Sequence, residues 1–182
     1  MPYNPREFYK AVTLREKIPA PMLTQHISYM EDYVKHTYAP THRLKHLEVI
    51  TAKNGAALTF VIEKTQTRTS VETWVVYEPL DNQYLITVAV KRPERIRKIW
   101  IMHSAEILGS LIKTARELAV ELTEQYEALK IEEMYDELHR YYVANVVGGS
   151  SALEKDIKKL IEKGMTRKQA ITTLYNEYIA RK

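Results

Sequence analysis

Apolar positions along the chain keep two different periods, and the places where the period changes mark the elements. Leu23, Ile27, Met30 and Val34 recur at steps of four, three and four. That spacing predicts a helix over 23–38 with one buried face. From 44 to 91 the period falls to two: Leu47, Val49 and Thr51, then Leu58, Phe60 and Ile62, then Val71, Thr73, Val75 and Tyr77, then Tyr84, Ile86, Val88 and Val90. These are four strands. Asn54-Gly55 between the first two is a hairpin signal, because both residues tolerate positive φ. Glu78 to Asn82 reads as a turn between the last two. Four strands in sequence joined by short turns predict an antiparallel meander. The last two are apolar on both faces, which predicts cover on both sides of part of the sheet.

The helical period returns after Pro93. From Glu94 to Val146 there is no proline and one glycine, Gly109. Leu108, Leu111, Ala115, Leu118, Leu122 and Leu129 form a heptad-like seam, widened by Ile107, Ile112 and Ala119 as suits packing on a sheet. The seam loses phase after Leu129 and resumes at Ile131. An unbroken helix would be roughly 75 Å long, so a break or bend near Leu129–Glu133 is expected. At the other end, Pro5 to Lys17 reads as a helix with proline in its first turn and Phe8, Val12 and Leu14 buried. Ile18-Pro19-Ala20-Pro21 must be extended, since a residue preceding proline is driven out of the helical region.

Gly148-Gly149-Ser150-Ser151 is the single glycine cluster and reads as a linker. Two capping boxes follow, Ser151 with Glu154 and Thr166 with Gln169, separated by Gly164 as a helix terminator. They predict a helical hairpin too small to fold alone, which must dock on the body or on a partner. The expected fold is therefore α+β. A body of residues 1–147 holds N-terminal helices at 5–17 and 23–38, strands within 44–91, and a long helical region at 94–146 packed on the sheet. A C-terminal helical hairpin spans 148–182.

Charge changes this picture at one end only. The chain has 182 residues with 27 Lys plus Arg, 23 Asp plus Glu and a net charge of +4. Residues 151–182 carry eight basic and four acidic side chains, so the hairpin holds the whole excess and the body is neutral. A basic appendage on a neutral body points to nucleic acid or another acidic surface. The phosphate contacts would come from Lys158, Lys159, Lys163, Arg167, Lys168 and Arg181. The amides at the start of the last helix, around Thr166 to Lys168, would add an anion site.

The remaining chemistry is mostly exclusion. Without cysteine there is no disulfide, thiolate nucleophile or Cys-based metal site. No phosphate loop, zinc-protease, hydrolase-elbow or calcium-loop motif occurs. His36, His42 and His46 cluster in sequence, but no carboxylate follows at a spacing that completes a four-coordinate site. No catalytic residue, metal or cofactor is therefore expected. The first ten residues lack a secretory pattern and no 18-residue stretch avoids charge, so a cytoplasmic protein without membrane contact is expected. Five Asn, five Gln and no Cys suit a thermophilic host.

Within the hairpin, Gly164 ends one helix, Thr166 caps the next, Arg167 follows, and then come Ala170 and Ile171. Over residues 157–182 this resembles the two helices of ribbon-helix-helix DNA-binding proteins. That family reads bases with a polar strand ahead of its first helix, whereas Val143 to Val147 is mostly apolar here, so no base-reading residue carries over. The resemblance implies duplex DNA held by its backbone. The expected function is thus a non-enzymatic nucleic-acid-binding protein. The alternative is a homo-oligomeric scaffold without nucleic acid, and on either reading a homodimer through the long helix or the hairpin is expected.

Overall fold

The computed structural model describes residues 4–38 and 40–181. The architecture is α+β, with an antiparallel sheet, a long helix packed on it and a terminal helical pair. In chain order the elements are β1 (Phe8–Thr13), β2 (Ile18–Pro19), α1 (Leu23–Thr37), β3 (His42–Ala52), β4 (Gly55–Lys64), β5 (Thr69–Leu80), β6 (Gln83–Lys91), α2 (Lys98–Asn145), α3 (Gly149–Glu162) and α4 (Arg167–Tyr178). Two compact units divide between Thr123 and Glu124, inside α2.

The first unit contains the sheet. β3 to β6 form the expected meander, and β1 adds to the free edge of β6 in the order β1-β6-β5-β4-β3. Residues 5–17 are therefore not a helix. Only Pro5–Glu7 makes a single 3-10 turn, and Phe8–Thr13 is a strand. The segment FYKAVT is aromatic and β-branched, and it satisfies an edge that β6 would otherwise leave open. A bulge between Phe8 and Lys10 re-aims two rings. Phe8 packs edge-on against Trp74 of β5 at 5.7 Å, and Tyr9 packs edge-on against Trp100 of α2 at 5.1 Å.

One face of the sheet carries the core. Phe60, Ile62, Val75, Ile86 and Val88 meet Ile27, Met30 and Val34 of α1 and Ile107, Leu108, Leu111, Ala115 and Ala119 of α2. The seam from Leu108 to Leu122 is thus buried, or half-buried at Leu118, within this chain. Leu129, where its phase fails, is 51% exposed. Within the chain this part of the seam packs on the sheet. On the opposite face Ala57, Thr59, Val76, Thr87 and Ala89 are also buried.

Two polar details of this core bear on stability. His26 of α1 is fully buried, with Nδ1 2.7 Å from the Tyr77 hydroxyl and Nε2 3.0 Å from the carbonyl oxygen of Ala115, so it links β5 to α2. Thr73 lies between Phe60 and Val90 in the register, and its buried hydroxyl has no hydrogen-bond partner. A buried hydroxyl without a partner forfeits its hydration, and an apolar group of the same shape does not. Thr73→Val should raise stability by about 1 kcal/mol, read as a higher urea midpoint at unchanged slope. A lower midpoint would show that the hydroxyl contributes to the fold.

The second unit is a three-helix arrangement of the end of α2 with α3 and α4. Leu138, Tyr142, Leu153, Ile157, Ala170, Ile171 and Leu174 make its core. The hairpin's apolar faces therefore dock on α2, which supplies the third helix a stable core of this size requires. Of the break or bend expected at Leu129–Glu133 the break does not occur, since helical structure in α2 continues through these residues to its last turn at Val143–Asn145. The phase slip separates the residues that serve two cores. From Glu124 to Lys130 only Tyr126 is even half-buried. Among the described residues no helix is long and apolar enough to cross a membrane.

Candidate functional site

The hairpin's helix ends are built from local sequence. α3 terminates in a Schellman motif: the Met165 N–H donates to the Leu160 carbonyl at 3.2 Å and the Gly164 N–H to the Ile161 carbonyl at 3.0 Å. Gly164 takes φ +100° there, a conformation open to glycine. The capping box at α4 is complete. Thr166 Oγ1 accepts from the Gln169 N–H at 3.1 Å, and Gln169 Oε1 accepts from the Thr166 N–H at 3.0 Å. The box expected at Ser151 and Glu154 does not form, because α3 begins at Gly149, after Gly148 at φ +96°.

Glu154 is engaged elsewhere, and this alters the basic surface. Arg167 donates twice to its carboxylate, at 3.1 and 3.2 Å, and lies 5.5 Å over the Tyr135 ring. Tyr135 donates its hydroxyl to the same carboxylate at 2.6 Å. These donors hold the Glu154 carboxyl below its ordinary range, and the carboxylate raises Arg167. Lys168 pairs with Glu127 of α2 at 2.8 Å. Both cations at the start of α4, where a phosphate was expected, thus already face carboxylates. Residues 124–182 hold ten acidic and ten basic side chains, so the hairpin's excess is matched by the helix it docks on.

The other predicted cations sit on a different surface. Lys158 and Lys159 lie with Lys155 on the solvent face of α3, opposite Leu153 and Ile157, and Lys163 follows its last turn. Arg181 is exposed beyond α4. Lys159 is 3.9 Å from Asp156, which also accepts from the Tyr142 hydroxyl at 2.7 Å. Among the described residues no ion pair within 4.0 Å involves Lys155, Lys158 or Lys163. Composition showed a basic hairpin; the docking splits it into a neutralised edge on α4 and a free face on α3.

The histidines do not gather as their sequence positions suggested. His36 donates to its own helix, to the Asp32 carbonyl at 2.7 Å, and His46 meets Glu48 at 3.1 Å. His42 instead stacks on His103 of α2, with ring centroids 5.1 Å apart and planes 18° from parallel. Tyr38 packs edge-on against His42 at 5.4 Å, and Thr41 Oγ1 lies 2.7 Å from its Nδ1. Parallel rings cannot aim their nitrogen lone pairs at one ion, and among the described residues no three His, Asp or Glu side chains could hold a metal.

No family model matches this chain, and no curated protein matches it in sequence. Among solved structures it is similar to the crystal structure of Ara h 8.0201, at 10% identity and a TM-score of 0.32, over 62% of this chain and 99% of that one. A likeness at that level carries no argument about function. The site must speak for itself.

His103 is the group that the sequence did not single out as a ligand. It is 3% exposed, and neither ring nitrogen has a hydrogen-bond partner. A heptad reading of α2 places His103 beside the core without revealing that β3 brings His42 against it. Only the register of β3 on β4, where His42 faces Lys64, could have located the pair, and sequence does not fix that register.

Proposed function

We propose that the chain is a non-enzymatic protein that binds nucleic acid by its phosphate backbone, through the exposed face of α3. The observation that supports this is the row of Lys155, Lys158 and Lys159, continued by Lys163, with no carboxylate among the described residues within 4.0 Å of three of the four. Unpaired ammonium groups on one rigid helix can each displace a counterion from a phosphate, whereas Arg167 and Lys168 would first have to leave their own carboxylates. The contacts proposed are to phosphates, which position the protein without selecting a sequence.

Three unpaired cations, with Lys159 shared with Asp156, predict weak, salt-sensitive binding, with Kd in the range of about 10⁻⁴ to 10⁻⁶ M for duplex DNA and a log–log salt slope of about −3. Replacing Lys155, Lys158, Lys159 and Lys163 together by Gln should lower affinity at least tenfold and flatten the slope. Arg167→Gln with Lys168→Gln should leave the slope nearly unchanged, because both cations are already paired. Equal losses in the two variants, or no binding to wild type at 50 mM salt, would refute the assignment to α3.

A further inference from the structure

Beside the stacked histidines, a cavity of about 410 Å³ opens between the first turns of α2 and the turn joining β4 to β5. Its walls are Lys64, Thr67, Lys98, Ile99, Met102, His103 and Glu106. One of these groups lacks partners in a way that demands an explanation, and two unpaired lysines, Lys64 and the exposed Lys98, line the same cavity. His103 is buried with both nitrogens unsatisfied, which a folded protein rarely tolerates. Lys64 is half-buried, and Lys98 stands at the start of α2; among the described residues neither makes an ion pair within 4.0 Å.

The three share one electrostatic character. An imidazole N–H and two ammonium groups are donors, and the beginning of a helix adds the positive end of its dipole. Two ammonium groups against the single carboxylate of Glu106 leave the lining with an excess of positive charge, which fits a monoanion. Ile99 and Met102 complete the wall with apolar surface, so the cavity does not suit a bare inorganic ion as well as it suits one carrying a hydrophobic body. The volume falls in the range of sites for small organic molecules, about 300–1,000 Å³.

We propose that this cavity binds a small organic carboxylate, its head on His103, Lys64 and Lys98 and its apolar body against Ile99 and Met102. Burial, His42 and Lys64 hold the His103 ring below its ordinary range, Glu106 pulling the other way, so the ring meets the ligand neutral, with one N–H to donate. Glu106 lies on the same wall and repels a second negative charge, which favours a monoanion over a dianion. The site belongs to the first unit and is independent of the α3 face.

Benzoate, its neutral counterpart benzyl alcohol, and inorganic phosphate test the assignment on the full chain by titration calorimetry and by the ring resonances of His103. Benzoate should bind and shift the His103 ring signals, while benzyl alcohol and phosphate each bind at least tenfold more weakly. Lys64→Met should weaken benzoate at least tenfold with an unchanged thermal midpoint. His103→Phe, which keeps a ring against His42, should abolish binding. The proposal fails if benzoate at 10 mM leaves the His103 signals unmoved. It fails equally if benzyl alcohol or phosphate matches benzoate, or if Lys64→Met binds as wild type does. The wild-type resonances and Lys64→Met decide the matter even where His103→Phe does not fold.

Discussion

Gly55→Ala should destabilise the first unit by about 3 kcal/mol, and Gly55→Val by more. Gly55 opens β4 at φ +143°, where a side chain is strained whatever the space around it. The space is also absent, since a Cβ there would lie 2.3 Å from the carbonyl oxygen of Tyr77. That oxygen belongs to the central strand β5 and is backbone, so it cannot swing aside. Accommodation requires pulling β4 off β5 at Ala56↔Tyr77, next to the fully buried Leu58 and Tyr77. Thermal or urea unfolding reads the loss directly, as a fall of about 10 °C in the midpoint. Gly109→Ala is the matched control, because nothing lies within 4 Å of a Cβ at that position in α2. There the exchange should add up to about 1 kcal/mol, since glycine is a poor helix former. If Gly55→Ala unfolded at the wild-type midpoint, the hairpin would have to turn elsewhere.

That glycine also shows how much the sequence disclosed. Asn54-Gly55 correctly marked a two-residue hairpin, but the closing pair is Ala52↔Gly55 and the loop residues are Lys53 and Asn54. Neither has positive φ, so glycine is needed for its approach to Tyr77, a contact with a third strand that local pattern cannot express. The meander was legible because period two survives on the buried face of β4, β5 and β6, although in β3 Val49 and Thr51 of the expected face are exposed. β1 was not, because Phe8, Val12 and Leu14 can be drawn on a helix, and only the open edge of β6 decides otherwise. The phase slip after Leu129 was real, but it marks a passage between two cores in an unbroken α2.

The candidate sites were less legible for the same reason. Charge counting located a basic hairpin but not the partners of its cations, since Lys168 meets Glu127 from 41 positions away. Arg167 and Glu154, 13 apart, meet only once α3 and α4 fold back on one another. Lys155, by contrast, belongs with Lys158 and Lys159 by helical spacing alone, and the periodicity of α3 could have placed it there. The stacking of His103 on His42 emerged only once β3 and α2 were packed. Composition reveals which charges exist; tertiary pairing decides which are free.

Stability should fall as the pH is lowered from 7.5 to 5, and the histidines fix the sign. His26 Nε2 lies beside the Ala115 carbonyl, which can only accept, so Nε2 carries the proton and Nδ1 is left to accept from the Tyr77 hydroxyl. A second proton on Nδ1 would oppose that hydroxyl with another donor, deep in the core. Burial holds His26 below its ordinary value of 6.5, and burial is also the leading cause of the lowered values of His42 and His103. In the unfolded chain all three imidazoles take up protons near pH 6.5; in the folded chain they do so only at lower pH. Between those limits the unfolded state binds more protons, so acid favours it, and stability is full only above about pH 6.5. For His26 the steepest loss is about 1.4 kcal/mol per pH unit. Glu16, Glu63 and Glu154 are held below 4.5 by their cationic partners, so their contribution disappears only in stronger acid. Urea unfolding at pH 7.5, 6.5, 5.5 and 5.0 therefore isolates the histidines. In His26→Phe the curve should start lower, because Tyr77 and Ala115 lose their partner, and its slope should be shallower by the share of one proton. A flat profile in wild type would mean that these rings are protonated in the folded state, and an unchanged slope in His26→Phe would remove His26 from the cause.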